Sequence, residues 1–442
     1  MGFHIEGDVF VEPCDKEFLV YAPLHKAAFV VEERAADFIR KLQESEVETI
    51  PDEFAELAKS LAKIGILGDA PAKPQIPEEP HNPTQALLLL TANCNLRCTY
   101  CFSHGGETKT NLPEHVARAA IDLIVANAAK KNTTVKIRYH GGGEPTLRWE
   151  TLTSTAQYLR EKAQEAGIRS HIALNTNGVL SPMKIEWIAK NIDSVYISFD
   201  GRKDLHDSQR PLAGGKSSFS AVWKTMEALT KLGKAFAVRS TITADNCEHM
   251  PELVDMVADF KLNGVELEPL TKCGRAYTNG LPAPTSEQYI KAYKEAFDHA
   301  RTRGIPLLYS GVRIGGVSHI FCGAAGRNFA VTPSGQATLC HRVSDPTDPI
   351  ADTYIYGGYS EATGAFQFDQ SKIDKMASLH CESSDACRGC FAKWNCSGGC
   401  YSQNQSETGS VLLSEQGEKC EITRELTKFA LRDRVKTRRT PQ

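Results

Sequence analysis

At 442 residues the chain is too long for one small core and predicts two or three folding units. Its 41% apolar and 24% charged residues and formal charge of -3 are those of a soluble globular protein without the basic excess that nucleic-acid binding requires. No run of about 18 apolar residues could span a membrane, and no apolar stretch follows a basic start, so no signal peptide is expected and the cytoplasm is the expected location.

In chain order, residues 1–70 read as a small α+β unit. An extended segment, "FLVYAPLHKAAFVV", precedes two helical stretches, "EERAADFIRKLQ" and "PDEFAELAKSLAKIGILG". Residues 71–84 carry five prolines between Pro71 and Pro83, the composition of a semi-rigid linker. Residues 85–310 hold six apolar runs, "ALLLLTANC", "VKIRYHGGG", "HIALNTNG", "SVYISFDG", "FAVRSTIT" and "VELEPL", separated by amphipathic segments such as "PEHVARAAIDLIVANAAK". This alternation predicts an α/β fold of parallel βα units, an open sheet or partial barrel. Chemistry in such folds collects at the C-terminal ends of the strands.

Across 311–425 apolar periodicity weakens, and eight of the fourteen cysteines fall between Cys322 and Cys420. A segment that buries little apolar surface needs staples. In a long leaderless chain these are more readily metal sites than disulfides. Residues 426–442 end in the basic "LRDRVKTRRTPQ", expected as a frayed helix end and solvated tail.

Cys94, Cys98 and Cys101, in "LTANCNLRCTYCF", close the first apolar run. Three thiolates can hold three irons of a [4Fe–4S] cluster and leave the fourth open. Zinc is the structural alternative, but a closed zinc site wants four ligands and would have to recruit His104 irregularly. "GGGEP" follows the second run, "NTNG" the third and "SFDG" the fourth. Each is also explained by an ordinary strand-end turn.

The C-x3-C-x2-C spacing, with Tyr100 before the last cysteine, resembles the signature of radical S-adenosylmethionine (SAM) enzymes. The resemblance implies a partial (βα)6 TIM-like barrel, a [4Fe–4S] cluster whose open iron chelates SAM, and a 5'-deoxyadenosyl radical as the reagent. It further implies that Gly142, Gly143 and Glu144 meet the amino group of SAM. Ser198 and Asp200 would meet its ribose, Arg210 its carboxylate, and Asn177 would line the same pocket. Farther on, Cys322, Gly335, Cys340, Cys387, Cys390, Cys396, Cys400 and Cys420 resemble the SPASM domain of radical SAM maturases. That resemblance assigns Cys322, Cys340 and Cys400 to one auxiliary [4Fe–4S] cluster and Cys387, Cys390, Cys396 and Cys420 to a second, three clusters in all. Some relatives add a fourth ligand to the first auxiliary cluster where this chain has Gly316. Cys381 or Cys273 would replace it, or an iron stays open.

The N-terminal unit is similar to the winged-helix-like peptide-recognition elements of maturases of ribosomally made peptides, in which a strand pairs with a leader peptide. These resemblances imply a maturase that installs a thioether, carbon–carbon or ether crosslink in a precursor peptide. Reduced flavodoxin or ferredoxin would supply the electron, with no role for nucleic acid or membrane. The alternatives are a sulfatase-maturing enzyme, whose catalytic aspartate position is occupied here by His341, and a non-catalytic iron–sulfur or zinc protein.

Overall fold

The computed structural model describes residues 2–75 and 81–439. Strands β1 (Phe10–Cys14), β2 (Glu17–Ala22) and β3 (Ala27–Val31) form an antiparallel meander in that order. The segment expected as one extended stretch is therefore a hairpin. Its turn closes with the Lys26 amide donating to the Pro23 carbonyl at 3.0 Å, with Lys26 at φ +54. Alternation along β2 buries both faces of the sheet. Val20 and Ala22 pack with Phe38, Ile39 and Leu42 of the helix Glu33–Glu44. Leu19 and Tyr21 turn the other way, onto Phe391, Leu431 and Val435 of the C-terminal region. The basic C-terminal stretch, as far as Arg439, is correspondingly not a frayed tail. It belongs to the helix Glu418–Arg439, whose Leu431 and Val435 complete that apolar contact.

The second sheet contains β4 (Gln85–Leu88), β5 (Val135–Tyr139), β6 (Ser170–Thr176), β7 (Ser194–Ser198), β8 (Phe236–Ile242), β9 (Leu262–Pro269) and β10 (Leu307–Leu308), all parallel and each beside its sequence neighbour. Six of these are the six apolar runs. Ile137, Tyr139, Leu174, Ile197 and Val238 are buried in one core cluster with residues of the flanking helices. The intervening residues Arg138, Asn175, Tyr196, Arg239 and Glu266 therefore share the opposite, inner face. Past β4 the sheet continues with β11 (Ala330–Val331), parallel to β4, and then β12 (Gln336–Thr338), β13 (Ile355–Ser360) and β14 (Ala365–Phe368), antiparallel to one another. These strands are only two to six residues long, so no periodic pattern announced them.

Residues 76–80 of the proline-rich stretch lie outside the described residues. Just beyond them His81 ties the chain to the C-terminal region, with ring nitrogens 3.0 Å from the Gly326 carbonyl and 2.9 Å from the Tyr356 hydroxyl. Among the described residues no helix is long and apolar enough to cross a membrane.

Candidate functional site

The loop bearing Cys94, Cys98 and Cys101 leaves the C-terminal end of β4 and is held largely by its backbone. Arg97 donates to the carbonyls of Cys94 and Leu96, both at 2.8 Å, and of Gly106 at 2.9 Å. Arg275, from the loop after β9, donates to the carbonyls of Cys98 at 3.0 Å and Gly105 at 2.5 Å and pairs with Glu107 at 2.9 Å. The loop's shape is thus set mainly through its carbonyls, with only long contacts to sulfur, such as those from the Leu96 amide to Cys94 at 3.5 Å and from the Gly105 amide to Cys101 at 3.4 Å. Burial pushes the Cys94 thiol up to about 11 and the Cys98 thiol up to about 12, each reinforced by its neighbours' charge. Such sulfurs stay protonated until a metal displaces the proton.

The glycines of "GGGEP" serve this loop. A Cβ on Gly142, at φ +66, would stand 2.7 Å from the Thr91 carbonyl oxygen, and one on Gly143 would overlap the Asn93 carbonyl oxygen. The close approach lets the Gly143 amide donate to Thr91 at 2.7 Å and the Glu144 amide to Asn93 at 2.9 Å. The Gly143→Ala variant should therefore displace the cysteine loop and lose its iron although no ligand is changed, which an iron assay checks. The Glu144 carboxylate is buried and receives hydrogen bonds from the Thr146 amide (3.1 Å) and hydroxyl (2.8 Å), the Thr176 hydroxyl (2.9 Å) and the Asn177 amide (2.8 Å). It clamps the loops after β5 and β6 together. Asn177 in turn donates to Asn95 at 2.7 Å, one residue past Cys94.

Tyr100, Asp200 and Arg210 form one chain. The Arg210 guanidinium donates to the Tyr100 oxygen at 2.6 Å, and that hydroxyl donates to Asp200 at 2.6 Å. Asp200 also accepts from Gln209 (3.2 Å), Ser240 (3.1 Å) and the Thr241 amide (3.3 Å). Both its oxygens are engaged by protein, so here it orients Tyr100 and Arg210. Ser198 lies one step away on the inner face of β7, paired in register with Arg239.

The loop carrying Arg210 is fixed by His206. Its Nδ1 accepts from the Asp200 amide at 3.2 Å, so Nε2 donates to Ser218 at 3.1 Å, and the Ser218 hydroxyl donates to the Arg210 carbonyl at 2.6 Å. Burial holds the imidazole neutral, with its pKa lowered to about 3. The unfolded chain then binds one more proton than the folded one between about pH 3 and 6.5, and stability falls as pH falls through that window. Comparing thermal unfolding at pH 7 and pH 5 should show His206→Gln sparing about 2 kcal/mol of the acid-side loss.

The inner face of the sheet forms a polar lumen. Arg138 donates to Asn175 at 3.3 Å and lies 4.7 Å from the ring centre of Tyr196, while Arg239 pairs with Glu266 at 3.1 Å. His140 and His341 meet edge to face at 4.5 Å. Burial, with Arg239 and Arg138 nearby, lowers both imidazoles, His341 to about 3, so both are neutral near pH 7. Sequence reading missed Arg138, His140, Arg239 and Glu266. The signal was the polar alternation of Lys136, Arg138 and His140 within an otherwise apolar strand.

The C-terminal cysteines gather as two neighbouring sets. Cys387, Cys390, Cys396 and Cys420 border a cavity of about 80 Å³ that Glu268 at the end of β9 and Cys400 of the other set also line. Cys340 and Cys400 lie close enough to Cys322 to raise its thiol, and Cys400 acts likewise on Cys340. Thiols on one zinc ion, with 2.3 Å bonds, would stand roughly 3.8 Å apart. Among the described residues the only three or more His, Cys, Asp or Glu ligand atoms within 4.8 Å of one another are those of His4, Glu6 and Asp69. Within neither cysteine set do three sulfurs therefore stand close enough together to share one zinc ion.

Residues 88–257 match a family model described as the Radical SAM superfamily. The protein is a radical SAM enzyme. The match contains the first three cysteines, "GGGEP", "NTNG", "SFDG" and Arg210. The cysteine-type anaerobic sulfatase-maturating enzyme of Clostridium perfringens is 25% identical over 376 residues, which span 79% of this chain and 96% of that one. The fold is shared with solved structures. Native anSMEcpe with bound AdoMet superimposes at a TM-score of 0.62 with 20% identity, over 80% of this chain and 99% of that one. Streptococcus suis SuiB bound to precursor peptide SuiA does so at 0.54 with 15% identity, over 94% of this chain and 99% of its own. As a radical SAM enzyme the chain uses S-adenosylmethionine and [4Fe–4S] clusters.

Proposed function

We propose that this radical SAM enzyme is a peptide maturase that installs an oxidative crosslink, thioether, carbon–carbon or ether, in a ribosomally made precursor. The observation that carries the reading is the N-terminal sheet. Its order leaves β1 and β3 as edges, and its underside is fastened to the turn between Cys390 and Cys396. An edge strand can accept an extended leader peptide by main-chain pairing. The likeness to SuiB, which covers 94% of this chain, supports a recognition unit of this kind.

In this reading Cys94, Cys98 and Cys101 hold the SAM-binding cluster. Cys322, Cys340 and Cys400 hold the first auxiliary cluster, and Cys387, Cys390, Cys396 and Cys420 the second. When bound, these groups would supply a 5'-deoxyadenosyl radical and a route for the electron the product gives up, with reduced flavodoxin or ferredoxin as donor. The chain's own part is binding and orientation. Arg210, whose buried Nε has no hydrogen-bond partner among the described residues, offers that donor to the SAM carboxylate. Tyr100 and Asp200 fix its direction, Gly142, Gly143 and Glu144 shape the wall beside the SAM amino group, and Asn177 and Ser198 complete the pocket. The lumen above Arg138 and Tyr196 receives the substrate segment and keeps water from it.

The sulfatase-maturing reading is favoured by the sequence relatives, and it would make His341 the base. An imidazole with a pKa near 3 accepts a proton poorly at neutral pH. In the crosslinking reading its neutral ring is a hydrogen-bonding group of the lumen. The anaerobically reduced protein, given SAM and a candidate precursor encoded beside its gene, should form 5'-deoxyadenosine and a peptide lighter by one hydrogen molecule per event. Formylglycine on a sulfatase-derived cysteine peptide would establish the second reading, and unchanged mass with inverted stereochemistry would mean epimerisation.

A further inference from the structure

The three thiols proposed for the first auxiliary cluster leave one iron without a protein ligand. We propose that Cys273 is that fourth ligand, supplied from the barrel by the loop that leaves β9. The inference rests on the reading of Cys322, Cys340 and Cys400 as cluster ligands.

Arg342, two residues past Cys340, is the first observation. Its guanidinium donates to the Cys273 sulfur at 2.5 Å, and it lies close enough to Cys340 and Cys400 for their charges to act on it. One planar group therefore holds a thiol from the barrel beside thiols of the cysteine-rich segment.

The loop around Cys273 is also fixed in place. The Cys273 amide donates to the Thr271 carbonyl at 2.9 Å, and Gly274, at φ +51, packs so that a Cβ would stand 2.5 Å from the Cys101 carbonyl oxygen. The next amide, of Arg275, donates to that same carbonyl at 2.9 Å. The sulfur is thus held against the C-terminal segment by the same loop that clamps the SAM-cluster loop.

Charge agrees with this placement. Arg342 and Lys419 both lie near Cys400, and Lys419 has Glu407 at 2.9 Å as its carboxylate partner. Buried cations need compensating anions, and a cluster held by four thiolates supplies more negative charge to Arg342 than one held by three. Ligation breaks the Cys273 S–H bond, forms an Fe–S bond and releases the proton to solvent. No electron is transferred.

Cys381, the other candidate, faces a different environment. It is fully buried in an apolar cluster with Cys387 and Trp394, against Leu24 and Val317. The thiol whose charge it feels is Cys387, of the second set. A closed site at Cys273 has a functional consequence. The first auxiliary cluster would relay electrons between barrel and C-terminal segment and would not bind a substrate thiol directly.

The test uses the full chain with Cys94, Cys98 and Cys101 replaced by alanine, which removes the SAM-binding cluster, reconstituted anaerobically. That protein should retain about eight irons. After mild ferricyanide oxidation, low-temperature electron paramagnetic resonance should show only a trace of three-iron cluster. Adding Cys273→Ala, or Cys273→Ser as a milder change, should raise that signal towards one cluster per chain, because an iron without a thiolate is the one lost. Adding Cys381→Ala should not. The proposal is overturned if the parent variant already gives the full three-iron signal, or if Cys381→Ala produces it and Cys273→Ala does not. About four irons or fewer in the parent would instead sink the ligand set on which the inference stands.

Discussion

Alanine at Cys94, Cys98 and Cys101 together should reduce 5'-deoxyadenosine formation to background and remove about four irons per chain, while the protein still folds. The two halves of this expectation come from different parts of the loop. Burial raises the Cys94 and Cys98 thiols, which remain protonated without metal, so truncating them removes no charge pair. The loop's shape rests on main-chain carbonyls bound by Arg97 and Arg275, which the substitution leaves in place. The melting temperature of the metal-free protein should accordingly move little, whereas Arg275→Ala, with every cysteine retained, should loosen the loop and lower iron occupancy. Liquid chromatography of the reaction products together with iron analysis checks both. Undiminished 5'-deoxyadenosine from the triple variant would refute the assignment of the first cluster.

Much of this architecture could be read from the residues because two strong periodicities coincide in it. Parallel strands buried beneath helices appear as apolar runs, and six such runs became β4 to β9. The cysteine spacings were legible for a different reason, since the order of residues is a property of sequence. What escaped was whatever depends on contacts between distant segments. Arg275 matters because it meets carbonyls of Cys98 and Gly105, far back in the chain, and nothing around it in "TKCGRAYTNG" says so. Asp200 was expected to meet a ribose, and nothing in "SFDG" says that its carboxylate also accepts from Tyr100, Gln209, Ser240 and Thr241. The lumen charges lay in plain alternation along β5, yet the apolar neighbours Ile137 and Tyr139 dominated the reading of that strand. The basic C-terminus was misread for a related reason, because Leu431 and Val435 are too sparse to signal a buried face until the N-terminal sheet supplies its other half.

That docking leads to the second large effect, expected from Asp8→Ala. Asp8 accepts a hydrogen bond from the Trp394 indole at 2.6 Å and pairs at 2.8 Å with Lys393, whose side chain is 9% exposed. Removing the carboxylate leaves a nearly buried ammonium without its partner, a change that costs about 3 kcal/mol. Asp8→Asn keeps an acceptor for the indole and should cost less, so the difference between the two variants isolates the charge. The location makes the loss more than a matter of stability. Lys393 and Trp394 sit in the turn between Cys390 and Cys396, and Tyr21 of β2 donates to Asn395 in the same turn at 2.8 Å. If a leader peptide pairs with the N-terminal sheet, its binding site and the second auxiliary cluster share one rigid joint. Asp8→Ala should then lower the thermal midpoint, release iron preferentially from the Cys387 set and cut crosslinking, while 5'-deoxyadenosine formation without peptide persists. Unchanged iron and crosslinking in a variant of proven lower stability would show that the joint is only structural.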